Sequence, residues 1–236
     1  MNDDVSLGSI LSRTFGIVSD AGRATLLYTL VLGGLTAAGI LLGYIDTSEL
    51  RAGFGGGFVV DEHTSLEAGL FELGLFVLTV VGMYMVLREQ LASQGRLGRS
   101  SGSFWLFLGM SILALLGVGL GLLLLVVPGL FLIVRWSAAN GFAVSRGLGP
   151  VDALKASWEA TDGHSWSIFF AGLILVFGAS IAFGVIMASM MAISAQVAGV
   201  VAGLLDAFAD VLSYAFSIAV FCAVASDEEE AAAVFA

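Results

Sequence analysis

The chain has few charged residues and almost no cysteine or proline. Of its 236 residues, 12% are charged, one is cysteine and two are proline, whereas 58% are hydrophobic and the mean hydropathy is +1.01. Soluble domains carry about 25% charged residues. A soluble globular fold is therefore excluded, and a single cysteine, Cys222, also excludes an intramolecular disulfide or a multi-cysteine metal cluster.

Basic residues are scarce as well. The chain has 9 lysines and arginines against 19 aspartates and glutamates, which gives a formal net charge of -10. A nucleic-acid backbone is bound by a basic patch or stripe, and this sequence has none. Nucleic acid is therefore not an expected partner, whereas membrane lipids are.

Long apolar runs fill most of the sequence. A helix needs about 20 residues to cross the hydrocarbon of a bilayer, and six segments have this character. They are residues 24–45, 67–87, 104–127, 129–145, 165–191 and 199–225. The third and fourth segments form one uncharged stretch, in which Pro128 and Gly129 predict a tight turn. The turn between the fifth and sixth segments is weakly marked, within residues 192–198.

Two further segments have the pattern of amphipathic surface helices. In residues 6–22 the apolar positions recur at helical spacing, namely Leu7, Ile10, Leu11, Phe15 and Val18. Between residues 149 and 166, Pro150 suits a first helical turn, Leu154 and Trp158 share a face, and Lys155 lies four residues before Glu159. We expect this second helix at the cytoplasmic surface, with Trp158 and Trp166 at headgroup depth.

The distribution of basic residues predicts the orientation. Seven of the nine lie in loops that would share one side if the amino terminus is inside, Arg51 lies in an outer loop and Arg135 lies within a segment. Cationic loops tend to stay cytoplasmic. The prediction is an all-α polytopic protein of the cell membrane with both termini cytoplasmic. It has one integral membrane domain, residues 1–226, and an acidic cytoplasmic tail, residues 227–236. The first apolar run begins only at Ala24, so no cleavable signal peptide is expected.

Ionisable residues inside the predicted spans are the candidates for a functional site, because such groups are costly in lipid unless they are paired or hydrated. Arg135 and Asp206 lie at similar depths below the outer edge, Asp210 follows Asp206 by one helical turn, and Glu72 lies on the second span. We expect Arg135 to pair with Asp206, Asp210 or Glu72. Such a cluster is either a structural clasp or a cation or proton site.

The remaining motifs predict no catalytic, cofactor or metal site. No Gly-x-Ser-x-Gly elbow is present, and the two histidines, His63 and His164, fall in loops on opposite predicted sides. Glycines spaced four apart, such as Gly199 and Gly203, occur about as often as chance predicts, so they define no dimer face. Oligomerisation and protein partners are left open.

The central sequence resembles a known family. Residues 127–136, Val-Pro-Gly-Leu-Phe-Leu-Ile-Val-Arg-Trp, and residues 147–158, Gly-Leu-Gly-Pro-Val-Asp-Ala-Leu-Lys-Ala-Ser-Trp, are similar to the membrane domain of glycerophosphodiester phosphodiesterases and to the related YciC-like multipass proteins. The opening Leu7-Gly8-Ser9-Ile10-Leu11 and the six-helix layout also look similar. In those enzymes the phosphodiesterase chemistry belongs to a separate soluble domain, for which this chain has no room.

The predicted function is accordingly that of a non-catalytic multipass membrane protein with a role in membrane scaffolding or in envelope and lipid homeostasis. The alternative is a small transporter or channel that uses the buried arginine and aspartate cluster. Paired half-helices or internal repeats would favour transport, and the sequence shows no convincing repeat.

Overall fold

The computed structural model describes residues 5–45, 65–98 and 102–234, with side chains described as far as residue 225. These ranges contain nine α-helices and no strand. The helices are α1 (Leu7–Asp20), α2 (Gly22–Leu41), α3 (Leu66–Ser93), α4 (Phe104–Leu124), α5 (Val126–Arg135), α6 (Ala139–Ser145), α7 (Pro150–Ala160), α8 (Ser165–Met191) and α9 (Ala195–Val234). Six segments are long and apolar enough to cross a bilayer, which confirms the all-α polytopic membrane fold.

Several helix bounds differ from those predicted. The fourth span is a broken helix, since α5 ends at Arg135 and α6 begins at Ala139. The turn between the fifth and sixth spans is short, because α8 ends at Met191 and α9 begins at Ala195. The helical backbone of α9 continues into the predicted acidic tail as far as Val234. Arg51, placed by the sequence in an outer loop, lies outside the described residues.

The long helices present large apolar side chains on their outer surfaces. On α4, Leu115 is 72% exposed and Leu123 is 84% exposed, and α8 shows a similar row of exposed side chains. Leaving such side chains in water is unfavourable by about 25 cal/mol per Å² of apolar surface. These faces therefore suit contact with lipid chains, which agrees with the hydropathy of the six spans.

Contacts divide the chain into two compact units. The first comprises the described residues of Met1–Asp20, Leu87–Leu175 and Tyr214–Ala236, and the second comprises those of Ala21–Val86 and Val176–Ser213. The helices α3, α8 and α9 each contribute to both units. Three of the four borders between the units fall within predicted apolar segments, so the composition does not mark them.

In the second unit, α2 and α9 approach closely at glycines. A Cβ atom on Gly33 would lie 2.6 Å from Leu204 Cδ2, and one on Gly203 would lie 2.8 Å from Thr36 Cγ2. Backbones can come this near only where the side chain is a hydrogen atom. One of the glycine pairs noted in the sequence thus contributes Gly203 to packing within the chain.

In the first unit, α4 and α5 form an antiparallel hairpin. Leu125 is the one extended residue between them, with φ of -160° and ψ of 142°, so the turn precedes Pro128, which lies in the first turn of α5. A Cβ atom on Gly121 would lie 3.0 Å from Gly129 Cα. The hairpin is therefore close-packed near its tip. Helix α7 packs against both α4 and α6.

Helix α1 is present as predicted, but its buried face differs from the predicted apolar stripe. Ile10, Thr14 and Ile17 are buried, and of these only Ile10 belongs to that stripe, whereas Phe15 is exposed. Thr14 can be buried because its hydroxyl donates to the Ile10 carbonyl at 2.8 Å, which satisfies the polar atom within the helix.

Candidate functional site

The break between α5 and α6 is the centre of a buried polar network in the first unit. Breaking a helix leaves backbone donors and acceptors without their usual partners. Here the Arg135 carbonyl accepts from Ser157 Oγ at 2.8 Å and from Thr161 Oγ1 at 3.2 Å, while Ser157 Oγ accepts from the Ala138 N–H at 3.2 Å. Ser157 and Thr161 are fully buried, so helix α7 satisfies the backbone of the break.

A second set of hydrogen bonds joins the break to α9. Ser217 donates to the Ser137 carbonyl at 2.6 Å, and the Asn140 amide donates to Ser217 Oγ at 3.0 Å. We call these seven residues the helix-break network: Arg135, Ser137, Asn140, Ser157, Thr161, Asp162 and Ser217. Every hydroxyl oxygen of Ser157, Thr161 and Ser217 bonds to a backbone atom or to another member, so the network connects α5, α6, α7 and α9.

Arg135 carries the one buried positive charge of this network. Its side chain is 8% exposed, and Nη1 donates to Asp162 Oδ1 at 2.9 Å, whereas the Asp162 side chain is 79% exposed. The guanidinium also lies over two aromatic rings, 4.7 Å from the centroid of Trp158 and 5.6 Å from that of Phe131. Its Nε is buried without a hydrogen-bond partner among the described residues. The Asp162 carboxylate thus pairs with the charge of the guanidinium at Nη1, while the two aromatic rings cover the planar faces of this group.

The predicted partner of Arg135 is corrected by this geometry. We expected Asp206, Asp210 or Glu72, but the ion pair is formed with Asp162. Asp162 lies in the turn between α7 and α8, where Gly163 has a φ of +77°. Asp162 lies outside every predicted span, in the segment predicted at the cytoplasmic surface, so the sequence alone does not make it a candidate partner for a buried arginine.

The predicted interfacial helix is α7, and its named residues take different roles. Pro150 occupies the first turn and Leu154 is buried. Lys155 Nζ lies 4.0 Å from Glu159 Oε1 on an exposed face, a pair that contributes little because water screens it. Trp158, expected at headgroup depth, packs edge-on against Phe131 with centroids 5.4 Å apart.

The predicted acids of the second unit form a separate group, the aspartate pair, Asp206 and Asp210. They lie one turn apart on α9, and Asp210 Oδ2 accepts from the Tyr28 hydroxyl at 3.1 Å. Neither aspartate makes an ion pair with a lysine or arginine within the described ranges. Glu72 lies on α3 in the same unit. Tyr28 was missed in the sequence because a tyrosine in an apolar run resembles a core residue.

The metal-ligating residues are dispersed in the part of the chain that the structure describes. No group of three or more His, Cys, Asp or Glu side chains comes together there to hold an ion. His164 lies in the turn before α8, Cys222 is buried in α9, and His63 falls outside the described residues.

Fold and site together define a multipass α-helical membrane protein whose fourth span is broken and is held by hydroxyl groups and an ion pair. The chain matches no family model, no curated protein and no solved structure. The resemblance to the phosphodiesterase membrane domain therefore stays an expectation.

Proposed function

We propose that the protein is a non-catalytic membrane module that scaffolds the lipid bilayer of the cell membrane or maintains its lipid composition. The observation that carries the proposal is the helix-break network. Its polar side chains bond the backbones of neighbouring helices to one another, and its arginine pairs with an aspartate of the same unit. Such bonds hold helices in one arrangement.

The exposed apolar faces supply the second argument for this proposal. Most of the large side chains on α4 and on α8 point outward, so each of these helices offers the bilayer a lipid-facing surface. Such surfaces suit a role exerted through lipid contact. Arg135 and Trp158, which lie in the stretches that resemble the membrane domain of the phosphodiesterases, then act in holding the fold.

The experiment compares cells that lack the protein with cells complemented by variants. Envelope permeability and lipid composition are measured beside the amount of folded protein in the membrane. A scaffold predicts that Arg135→Gln loses function in proportion to the folded protein lost, and that Asp206→Asn with Asp210→Asn complements like wild type. Full complementation by a variant that leaves little folded protein would contradict the proposal.

The cytoplasmic placement of both termini is tested separately by cysteine labelling in intact cells. Cys222 is first replaced by alanine, and single cysteines are placed at Arg96 and Gly55. Because arginine-bearing loops tend to stay inside, a membrane-impermeant reagent should react at position 55 and not at position 96. The reverse pattern would invert the proposed orientation.

A second candidate function, proton or small-cation transport, is favoured by the aspartate pair. Two carboxylates one turn apart in a membrane helix cannot both keep their charge at low cost without a cation or a proton. In reconstituted vesicles this candidate predicts a cation- or proton-gradient-driven flux that Asp206→Asn or Asp210→Asn abolishes. The control Asp152→Asn changes an exposed carboxylate of α7 and should leave the flux intact. A flux that survives both changes in α9 would exclude the candidate.

A further inference from the structure

Three membrane spans end at one edge of the first unit. Helix α3 ends at Ser93, α6 ends at Ser145, and the apolar span of α9 ends at Ala225. Ser145 Oγ donates a hydrogen bond to the carbonyl of Arg96, which lies just beyond α3. A span reaches the lipid headgroups where it ends, so residues beside these ends lie at headgroup level.

Aromatic contacts connect the end of α6 to the end of α9. The Phe142 ring packs edge-on against the Phe221 ring with centroids 5.0 Å apart, and both side chains are buried. Arg146 follows α6 directly and is exposed. Its guanidinium lies over the same Phe142 ring, with Cζ 4.8 Å from the centroid. This arginine therefore lies beside the ends of both helices.

Two more arginines meet at Cys222, the residue after Phe221. The Arg13 guanidinium, from helix α1, donates a hydrogen bond to the Cys222 sulfur, and the charge of Arg96 acts on the same thiol. Both arginines are half-buried, and Arg13 forms no ion pair with a carboxylate among the described residues. A thiol is a weak hydrogen-bond acceptor, so it satisfies little of the donor capacity of a guanidinium.

The surroundings of these arginines have the character of a membrane interface. The Gly102 N–H donates to the Val144 carbonyl at 2.8 Å, so α4 begins beside the end of α6. Trp105, in the first turn of α4, is 74% exposed, and Phe15, two residues after Arg13, is 57% exposed. Exposed aromatic side chains are typical of the boundary between lipid and water.

The phosphate of a lipid is the anion that fits this position. A guanidinium binds phosphate oxygens through two parallel, charge-assisted hydrogen bonds, so arginine is favoured at phosphate sites. The whole chain has a net charge of -10, so arginines gathered at one edge are a local concentration of positive charge and not a general property of the surface. Lipid headgroups occupy the level at which the spans end.

We propose that Arg13, Arg96 and Arg146, which we call the arginine cluster, bind the phosphate headgroup of an anionic membrane lipid. Arg13 and Arg96 hold the phosphate beside the Cys222 sulfur, and Arg146 borders the site beside Phe142. The inference rests on neither of the functions proposed above, since a scaffold and a transporter can each bind a lipid.

The test measures lipid binding to the purified full-length chain in detergent. Native mass spectrometry gives the dissociation constants of phosphatidylglycerol, which is anionic, and of phosphatidylcholine with the same acyl chains, which carries no net charge. We expect phosphatidylglycerol to bind at least about tenfold more tightly, because each arginine near an anionic headgroup contributes about fivefold. Equal affinities would overturn the inference, and this comparison needs no variant.

Substitutions then locate the site. Arg13→Gln and Arg96→Gln should each weaken phosphatidylglycerol binding about fivefold and leave phosphatidylcholine binding unchanged. The matched control is Arg23→Gln, which removes an exposed arginine of α2 outside the cluster and should change the affinity less than about twofold. Equal weakening by Arg23→Gln would show that the lipid responds only to net charge, which would overturn the inference.

Two other anions are distinguished by the same variants. If inorganic phosphate binds as tightly as phosphatidylglycerol and is lost equally in Arg13→Gln, the cluster takes the free ion and the lipid assignment is wrong. The acidic residues 227–230 are the other alternative. Glutamine variants that lower the melting temperature of the lipid-free protein but keep the preference for phosphatidylglycerol would assign the arginines to ion pairs within the chain, and the inference would fail.

Discussion

Replacing Ser157 by alanine removes the hydroxyl that joins α7 to both sides of the helix break. The change deletes the bond to the Arg135 carbonyl, which keeps Thr161 as a donor, and leaves the buried Ala138 N–H without its acceptor. A buried polar group left unpaired costs about 1–3 kcal/mol. We expect a loss of about 2 kcal/mol, which for a chain of this length lowers the melting temperature by about 4–8 °C.

The assay is thermal unfolding of the purified protein in one detergent, followed by circular dichroism. The matched control is Ser189→Ala on α8, because Ser189 is exposed and donates only to the Val185 carbonyl of its own helix at 2.8 Å. Surface substitutions of this kind change stability by about 0.5 kcal/mol or less. If Ser157→Ala and Ser189→Ala have the same melting temperature, the helix-break network does not stabilise the fold.

Two further predictions concern the second unit and use the same melting assay. Gly33→Ala places a Cβ 2.8 Å from the Leu204 Cα, so overpacking should cost about 1–3 kcal/mol of stability. The control Gly34→Ala meets nothing within 4 Å and should be neutral or slightly stabilising. Equal melting temperatures for the two variants would contradict the close approach of α2 and α9. Tyr28→Phe removes the hydroxyl that donates to Asp210 and should cost about 1 kcal/mol; an unchanged or raised melting temperature would show that this bond does not stabilise the unit.

The spans were predictable from the sequence because a bilayer imposes a simple requirement on length and composition. Every predicted apolar segment overlaps one of the six candidate spans, and the turn predicted near Pro128 and Gly129 lies within a few residues of the observed one at Leu125. The break at 136–138 was not predictable, since it contains neither proline nor glycine. It forms because hydroxyl groups elsewhere in the chain satisfy its backbone.

The candidate site was predictable in part. Arg135 was selected because a buried arginine must have a partner, and it has one. The identity of the partner depends on how α7 packs against α5, which the local pattern of residues does not reveal. Ser157 and Ser217 were missed for the same reason, because a lone serine in a helix carries no signal until its neighbour across the bundle is known.

A double-mutant cycle on Arg135 and Asp162 tests most directly whether this ion pair stabilises the helix-break network. Arg135→Gln, Asp162→Asn and the double variant are unfolded under identical conditions, and the coupling free energy is taken from the four stabilities. Because water screens the exposed Asp162, we predict a favourable coupling of about 0.5–1 kcal/mol. The contrary result is strictly additive effects of Arg135→Gln and Asp162→Asn, together with a coupling between Arg135→Gln and Asp206→Asn. It would show that Arg135 pairs with Asp206 and not with Asp162.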